Sequence, residues 1–398
     1  MDLPGGVAVD AFRYGGVPNI SKYFLTHFHS DHYGGLYSSW KHGPIYCSEV
    51  TGRLVMKKLQ VDPQYVQMLP MNKRIDIDGQ FAVTLIDANH CPGSVLFLFE
   101  SVRTTILHTG DFRACPTQVA SAPLRGRRID TLYLDTTYLN PRYTFPYQSD
   151  VVGSCAELCH RINQSHRAGE QLLAGPSAGQ RKLFEPVGKQ PGAGRLLVVV
   201  GTYSIGKERL AVAIARRLGT KIFASSNKRV IFECLQDAEL NALLTTDSAS
   251  SQVHLVSLRE VNFETLGNYL DKYSSFDRVV AFRPTGWNFR PGSLKKTLSV
   301  PDVVATETPY DVETIRPARG STPRTMCFDV PYSEHSSFRD LTCFCLALNV
   351  SRIIPTVNVG SEKSRAMMNL WINRWAVERR RGLLVPELGP RWHMVDSK

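Results

Sequence analysis

The chain has 398 residues, with 47 Lys+Arg against 36 Asp+Glu and a net charge of +11. Hydrophobic content of 43% with 21% charged residues is globular composition, which excludes a largely disordered chain, a coiled coil and a collagen-like fibre. No window approaches 18 uninterrupted apolar residues, the opening Met-Asp-Leu-Pro-Gly-Gly has no secretory-signal character, and nine scattered cysteines without a CxxC pair read as reduced thiols. The charge favours an anionic partner, nucleic acid before acidic membrane, although a merely soluble basic protein carries the same number.

In chain order, short β-rich apolar runs end in polar residues. Lys22–Thr26 runs into His27, Phe81–Ile86 into Asp87 and His90, Thr104–His108 into Asp111, and Thr131–Leu134 into Asp135. Thr325–Val330 precedes His335, and Arg352–Val357 leads into Asn358. Such runs read as buried strands, whose ends present chemistry from a rigid sheet. Between the two sets, a strand over 196–200, a helix over Lys207–Leu218 and a strand over Arg278–Phe282 suggest a separate α/β unit. We expect one domain built from residues 1–142 and 323–398, with 143–322 inserted into it. Within these bounds 165–195 reads as a flexible surface loop and 290–324 as a loop or return crossing. After Ser361 a helix is expected, with Met367, Met368, Leu370, Trp371 and Trp375 in packing roles.

The strongest chemical signal is His27-Phe-His29-Ser-Asp31-His32. Burying that many titratable side chains unpaired is expensive, and a divalent cation resolves the cost because imidazole and carboxylate suit zinc, iron or manganese. His27 and His29, two apart in an extended turn, can share one metal, while Asp31 and His32 follow the bend and can face a second. His90, Asp111 and His335 are candidates for further ligands, though each alone is equally compatible with a hydrogen-bonded structural role. Asp10 and Asp135 lie beside strands and can orient the histidines through their second ring nitrogens. His108 reads as structural or supporting.

A second segment, Gly201-Thr-Tyr-Ser-Ile-Gly-Lys207-Glu208, begins like a phosphate-binding loop, but Glu208 stands where a magnesium-binding Ser/Thr is needed. Nucleotide hydrolysis is therefore disfavoured. A glycine turn opening a helix still presents N–H groups to an anion, with Lys207 as a charge and Ser204 as a hydroxyl. The alternative is a tight turn with no ligand.

Taken together, the HxHxDH segment, His90, Asp111 in Thr-Gly-Asp and Asp135 in Leu-Asp-Thr-Thr-Tyr resemble the metallo-β-lactamase fold. Asp135, His335 in Ser-Glu-His-Ser and Val357 in Pro-Thr-Val-Asn-Val-Gly resemble the three motifs of its β-CASP nuclease branch. Longer stretches, among them Asp-Ala-Asn-His-Cys-Pro-Gly, Gly-Thr-Tyr-Ser-Ile-Gly-Lys-Glu and Phe-Arg-Pro-Thr-Gly-Trp, resemble the DNA cross-link repair exonucleases from about residue 7 to 375. The resemblance implies an α/β fold, a four-layer αββα sandwich with an inserted α/β β-CASP domain. It implies a first metal on His27, His29, His90 and Asp111, and a second on Asp31, His32 and His335 with Asp111 bridging. One or two divalent ions follow, zinc first, with Mg2+ or Mn2+ as candidates at the second position. Asp31 is the candidate for orienting and deprotonating the attacking water. Ser204, Lys207 and Ser333 match the family's pocket for a terminal 5′-phosphate, placed beside the metals.

The expected function is thus a metal-dependent 5′-to-3′ DNA exonuclease of cross-link and damage repair in the nucleus. Its partner is single- or double-stranded DNA with a 5′-phosphate, with no membrane involved. Competing readings are a β-CASP endoribonuclease, a catalytically silent nucleic-acid scaffold and a small-molecule hydrolase. The complete ligand set counts against the scaffold, and the insertion and charge count against the hydrolase. Basic residues over 352–398, nine against four acidic, and over 161–195, six against two, are candidates for a strand-binding track or a solvated face.

Overall fold

Strands that are apolar on both faces need a layer on each side, and the first unit is built that way. A computed structural model describes residues 3–167, 170–172, 186–189, 195–287 and 298–382. It divides into one unit of Met1–Thr144, Pro291–Glu307 and Glu334–Lys398, and a second of Phe145–Arg290 and Thr308–Ser333.

In the first unit, Val7–Val9, Lys22–Phe24, Ile45–Ser48 and Val66–Leu69 form a parallel four-stranded sheet in that order. A six-stranded sheet runs Asn349–Pro355, Arg128–Leu134, Thr105–His108, Val95–Glu100, Phe81–Asp87, Arg74–Ile77. Its alternation is visible residue by residue. Val83, Leu85, Phe97 and Phe99 face Val7, Phe24 and Leu69 of the other sheet, while Ile86, Leu96 and Leu98 face outward. That outer face is covered by the helices Val300–Ala305, Phe338–Ala347 and Glu362–Arg381, with Phe338 edge-on to Trp371 at 4.8 Å. The helix Glu49–Leu59 packs on the smaller sheet through Leu54 and Val55. Helix, sheet, sheet, helix is the layered α/β sandwich expected, and it leaves the strand ends free to carry loops.

The second unit is a six-stranded, all-parallel sheet. Its order is Leu244–Thr245, Ile222–Ala224, Val253–Ser257, Arg195–Thr202, Phe276–Pro284, Thr325–Val330. Both faces of such a sheet are covered, hence the continuous apolar run at 196–200. The helix begins at Glu208, one residue later than expected, because Lys207 is left-handed (φ 70°) and serves as its N-cap.

Four further expectations change. Thr325–Val330 pairs with Phe276–Pro284, so the chain leaves the second unit after Ser333 rather than at 323. Residues 290–324 contain a helix, Val300–Ala305, started by a Ser299–Asp302 capping box that the Ser-Val-Pro-Asp sequence encodes. In 165–195, the helix Gln148–Arg167 runs into the segment and Glu170–Leu172 pairs antiparallel with Pro186–Lys189; the remainder of that loop lies outside the described residues. In the last helix Met368, Trp371 and Trp375 are buried, but Leu370 turns to solvent. No helix among the described residues is long and apolar enough to cross a membrane.

His254, fully buried in the second unit, accepts from the Tyr269 hydroxyl at Nδ1 and donates from Nε2 to the carbonyls of Ser248 and Ser251. Burial drives its pKa from 6.5 down to about 4. Between those values the unfolded chain binds the extra proton, so stability is complete above the upper value and lost as pH falls toward the lower. Acidification from pH 7 to 4 is expected to remove on the order of 3 kcal/mol through this group. In His254→Gln, urea unfolding should show a flatter pH dependence over that range; an unchanged slope contradicts the assignment.

Candidate metal centre

Loops at strand ends of the first unit deliver most of the histidine and carboxylate side chains. The strand Lys22–Phe24 leads to Thr26 and His27, and His29 caps the short helix Ser30–Tyr33 that carries Asp31 and His32. Beyond Phe81–Asp87, Asn89 adopts a left-handed turn (φ 52°) stabilised by its N–H to the Asp87 carboxylate, which turns His90 inward. Gly110 (φ 54°) follows Thr105–His108, and a Cβ there would lie 2.7 Å from the Thr26 side chain. Only glycine lets that loop close onto Thr26 and bring Asp111 beside His27.

His27, His29 and His90 form one group of converging ligand atoms, His27, His32 and Asp111 a second, and His90, Asp111 and His335 a third, all within 4.8 Å in each group. Their hydrogen bonds fix which nitrogen carries the proton. The Thr26 hydroxyl donates to Asp10 (2.7 Å) and so accepts from His27 Nδ1 (2.9 Å). His90 Nδ1 donates to the Glu334 carbonyl at 2.9 Å, His32 Nδ1 to Asp10 at 2.7 Å and His335 Nδ1 to Asp135 at 2.8 Å. Four imidazoles therefore point Nε2 into the centre. His27 Nε2 and His90 Nε2 lie 2.9 and 3.1 Å from His29 Nδ1, which has one proton at most to share between two lone pairs when neutral. Inward lone pairs beside a carboxylate fit a divalent cation, and proton-bearing outer nitrogens held by acceptors are the usual support of metal-bound histidine.

The electrostatics divide the four rings into two pairs. Burial, reinforced by the neighbouring imidazoles, holds His27 and His90 far below their ordinary value, so both are neutral. Burial opposes charge on His32 and His335 as well, but Asp10 and Asp111 lift His32 to about 11, and Asp135 and Asp111 lift His335 to about 9. The same contacts hold Asp10 and Asp135 low against the upward push of burial.

Asp31 belongs to none of the three groups. Its side chain is exposed, 3.8 Å from His32 Nε2, and lines a cavity of about 480 Å³ shared with Asp10, His32, Asp111, Thr137 and His335. Two contributors, Thr26 and Thr137, were not readable in advance, whereas His108 was expected as structural or supporting. Thr26 relays Asp10 to His27, Thr137 donates twice to Asp135, and His108 accepts the Gly110 N–H and so braces the Asp111 turn. Thr26 abuts the His motif, but a threonine there carries no signal of its own.

The Gly201–Glu208 turn differs from expectation. The buried Glu208 carboxylate accepts the Gly206 N–H at 2.9 Å, occupying internally a donor that a phosphate would need. Burial raises its pKa, while Lys228 and the backbone N–H groups oppose that rise. Lys207 is buried, donates to the Pro284 carbonyl at 2.7 Å and sits over the rings of Tyr203 and Tyr332. Ser333, next to Tyr332, is buried, and Ser204 is exposed. Lys207 thus lies against Tyr332, the residue before Ser333, within the second unit.

Residues 10–168 match the beta-lactamase superfamily domain and residues 238–361 the DNA repair metallo-beta-lactamase domain. Over 385 residues the chain is 46% identical to the DNA cross-link repair protein pso2/snm1 of Schizosaccharomyces pombe, covering 95% of this chain and 64% of that protein. It is 39% identical to the DNA cross-link repair protein SNM1 of Arabidopsis thaliana (94% of this chain, 68% of that protein). Identity to the 5′ exonuclease Apollo of Gallus gallus is 32%, over 89% of this chain and 63% of that protein. The chain spans about two thirds of the length of these relatives.

Since His32 and His335 are protonated at neutral pH in the cation-free centre, a cation has to displace those protons. Zinc uptake at pH 7 is expected to release about two protons and to tighten as pH rises. Calorimetry in buffers of different ionisation enthalpy measures the count, and zinc uptake without proton release would contradict this arrangement.

Proposed function

The chain belongs to the SNM1 family of DNA cross-link repair proteins, and from that premise we propose that it is a metal-dependent 5′-to-3′ DNA exonuclease acting in cross-link and damage repair in the nucleus. The observation that carries the reading is the convergence of His27, His29, His32, His90, Asp111 and His335, with the outward Nδ1 of His27, His32, His90 and His335 each held by an oxygen. His27, His29, His90 and Asp111 are the proposed ligands of a first divalent cation. Asp31, His32 and His335, with Asp111 shared, are those of a second. Zinc suits this donor set first, with Mg2+ or Mn2+ as candidates at the second position. Such cations supply Lewis acidity: they lower the pKa of a water toward about 7 and neutralise charge on phosphoryl oxygens.

The protein's own groups do the rest. Asp10 and Asp135 hold His32 and His335 in one tautomer and orientation. Asp31, exposed on the cavity wall, orients the attacking water and takes its proton. Water oxygen bonds to phosphorus as the bond from phosphorus to the 3′-oxygen breaks, and the leaving alkoxide takes a proton from solvent. The shortened strand again ends in a 5′-phosphate, so each product is the next substrate. Lys207, Ser204 and Ser333 are the proposed contacts of that phosphate, with the Lys207 ammonium held against the Pro284 carbonyl. The +11 charge gathers the strand without choosing the bond.

Purified protein is expected to degrade 3′-labelled single-stranded DNA in a chelator-sensitive way, faster from 5′-phosphate than from 5′-hydroxyl ends. Asp31→Ala should lower the rate about 10²- to 10⁴-fold; equal degradation by variant and wild type contradicts its role. Lys207→Ala or Ser333→Ala should erode the 5′-phosphate preference more than the overall rate, and an unchanged preference removes them from the phosphate contact. Internal cleavage of RNA in preference to DNA would overturn the exonuclease reading itself.

A further inference from the structure

Two tyrosines of the first unit, Tyr14 at 77% and Tyr37 at 66%, are the most exposed aromatic side chains among the described residues. Rings at that exposure present their faces to any ligand that can stack on them. Both lie on segments that carry the metal centre. Tyr14 follows Asp10 by four residues and Tyr37 follows His32 by five, so the reach of an extended chain keeps them within about 14 and 18 Å of those residues.

The two segments are packed as one base. A Cβ on Gly35 would meet the Phe12 carbonyl at 2.4 Å, and one on Gly16 would meet the His42 ring at 2.7 Å. Below the surface, Phe12, Tyr23 and Trp40 form a cluster with edge-on contacts at 5.3 and 4.9 Å, and Trp40 donates from its indole to the Gly43 carbonyl. The base is therefore rigid while the two rings on top are bare. Arg13 and Lys41 are exposed on the same segments, and Asp31 of the centre is the only acidic residue between Ala11 and His42.

We propose that Tyr14 and Tyr37, with Arg13, form a stacking platform for unpaired bases of the DNA strand being degraded. The proposal rests on the nuclease reading above. Aromatic rings on a fixed base beside uncompensated positive charge are how proteins hold single strands regardless of sequence, since every base has a π-face and every linkage a phosphate. A protein partner would use the same rings but would not depend on nucleotide bases.

Binding of a 5′-phosphorylated, phosphorothioate-linked single strand to the metal-loaded protein tests this by fluorescence anisotropy, without turnover. Tyr14→Ala and Tyr37→Ala are each expected to weaken binding about fivefold or more, Tyr→Phe at either position to retain it, and Arg13→Gln to lower the salt slope by about one phosphate contact. Hydrolysis of bis(p-nitrophenyl) phosphate, too small to reach the platform, should match wild type in all three variants. Unchanged strand affinity in the Tyr14→Ala, Tyr37→Ala double variant overturns the proposal. So does equal weakening by Tyr→Phe, or loss of affinity on an abasic strand no greater in wild type than in the double variant. If the wild type binds the strand through these rings but hydrolyses no phosphodiester, the nuclease reading fails while the platform stands.

Discussion

The centre is governed by a single electrostatic problem: several imidazoles and a carboxylate are brought together where water is scarce. In the first unit each of four imidazoles has an oxygen on its outer side, from Thr26, Asp10, Glu334 or Asp135. Those acceptors hold one proton of each ring outside, which leaves an inward lone pair on His27 and His90 and, on His32 and His335, an inward proton for a cation to displace. Without them the rings would rotate, protonate and repel, and burial would not be sustained. Asp10 and Asp135 serve twice, since each is held low by the imidazole it orients.

The sandwich exists, in this light, to hold loop ends still. The alternation of Val83 and Leu85 against Ile86 locks the Phe81–Asp87 strand between two apolar layers, so its final residues cannot slide. His90 and Asp111 follow the two strands that flank Val95–Glu100 in the sheet, and Asp135 and the Thr356–Asn358 loop follow the next two. A displacement of any strand by one residue would flip its apolar set to the wrong face and remove a ligand together.

Glu208 shows how a local motif can be overruled by its own neighbour. The glycine turn has the shape of a phosphate cradle, yet the carboxylate two residues beyond Gly206 folds back onto its N–H. The Gly206 N–H is therefore withdrawn from anion recognition in that unit, whereas the Lys207 side chain supplies a charge. The distinction matters chemically, because a lysine over Tyr203 and Tyr332 is a point charge, whereas a backbone cradle fixes geometry.

Much was legible from residues alone. His27-Phe-His29-Ser-Asp31-His32 announces a metal by density of ligands, and strand runs such as Phe81–Ile86 announce their sheets because both faces must be apolar. The Ser299–Asp302 capping box was equally present but hidden in a Pro- and Thr-rich stretch whose composition resembles loop. What tertiary structure alone decided is partnership. Glu334 contributes a carbonyl to His90 across 244 positions, and Thr26 mediates between Asp10 and His27. Likewise, Thr325–Val330 belongs to the parallel sheet beside Phe276–Pro284. A sequence states which groups bear chemistry, because that is a property of side chains. Which nitrogen is free to use it depends on acceptors brought in by the fold, and those are invisible until the chain has closed.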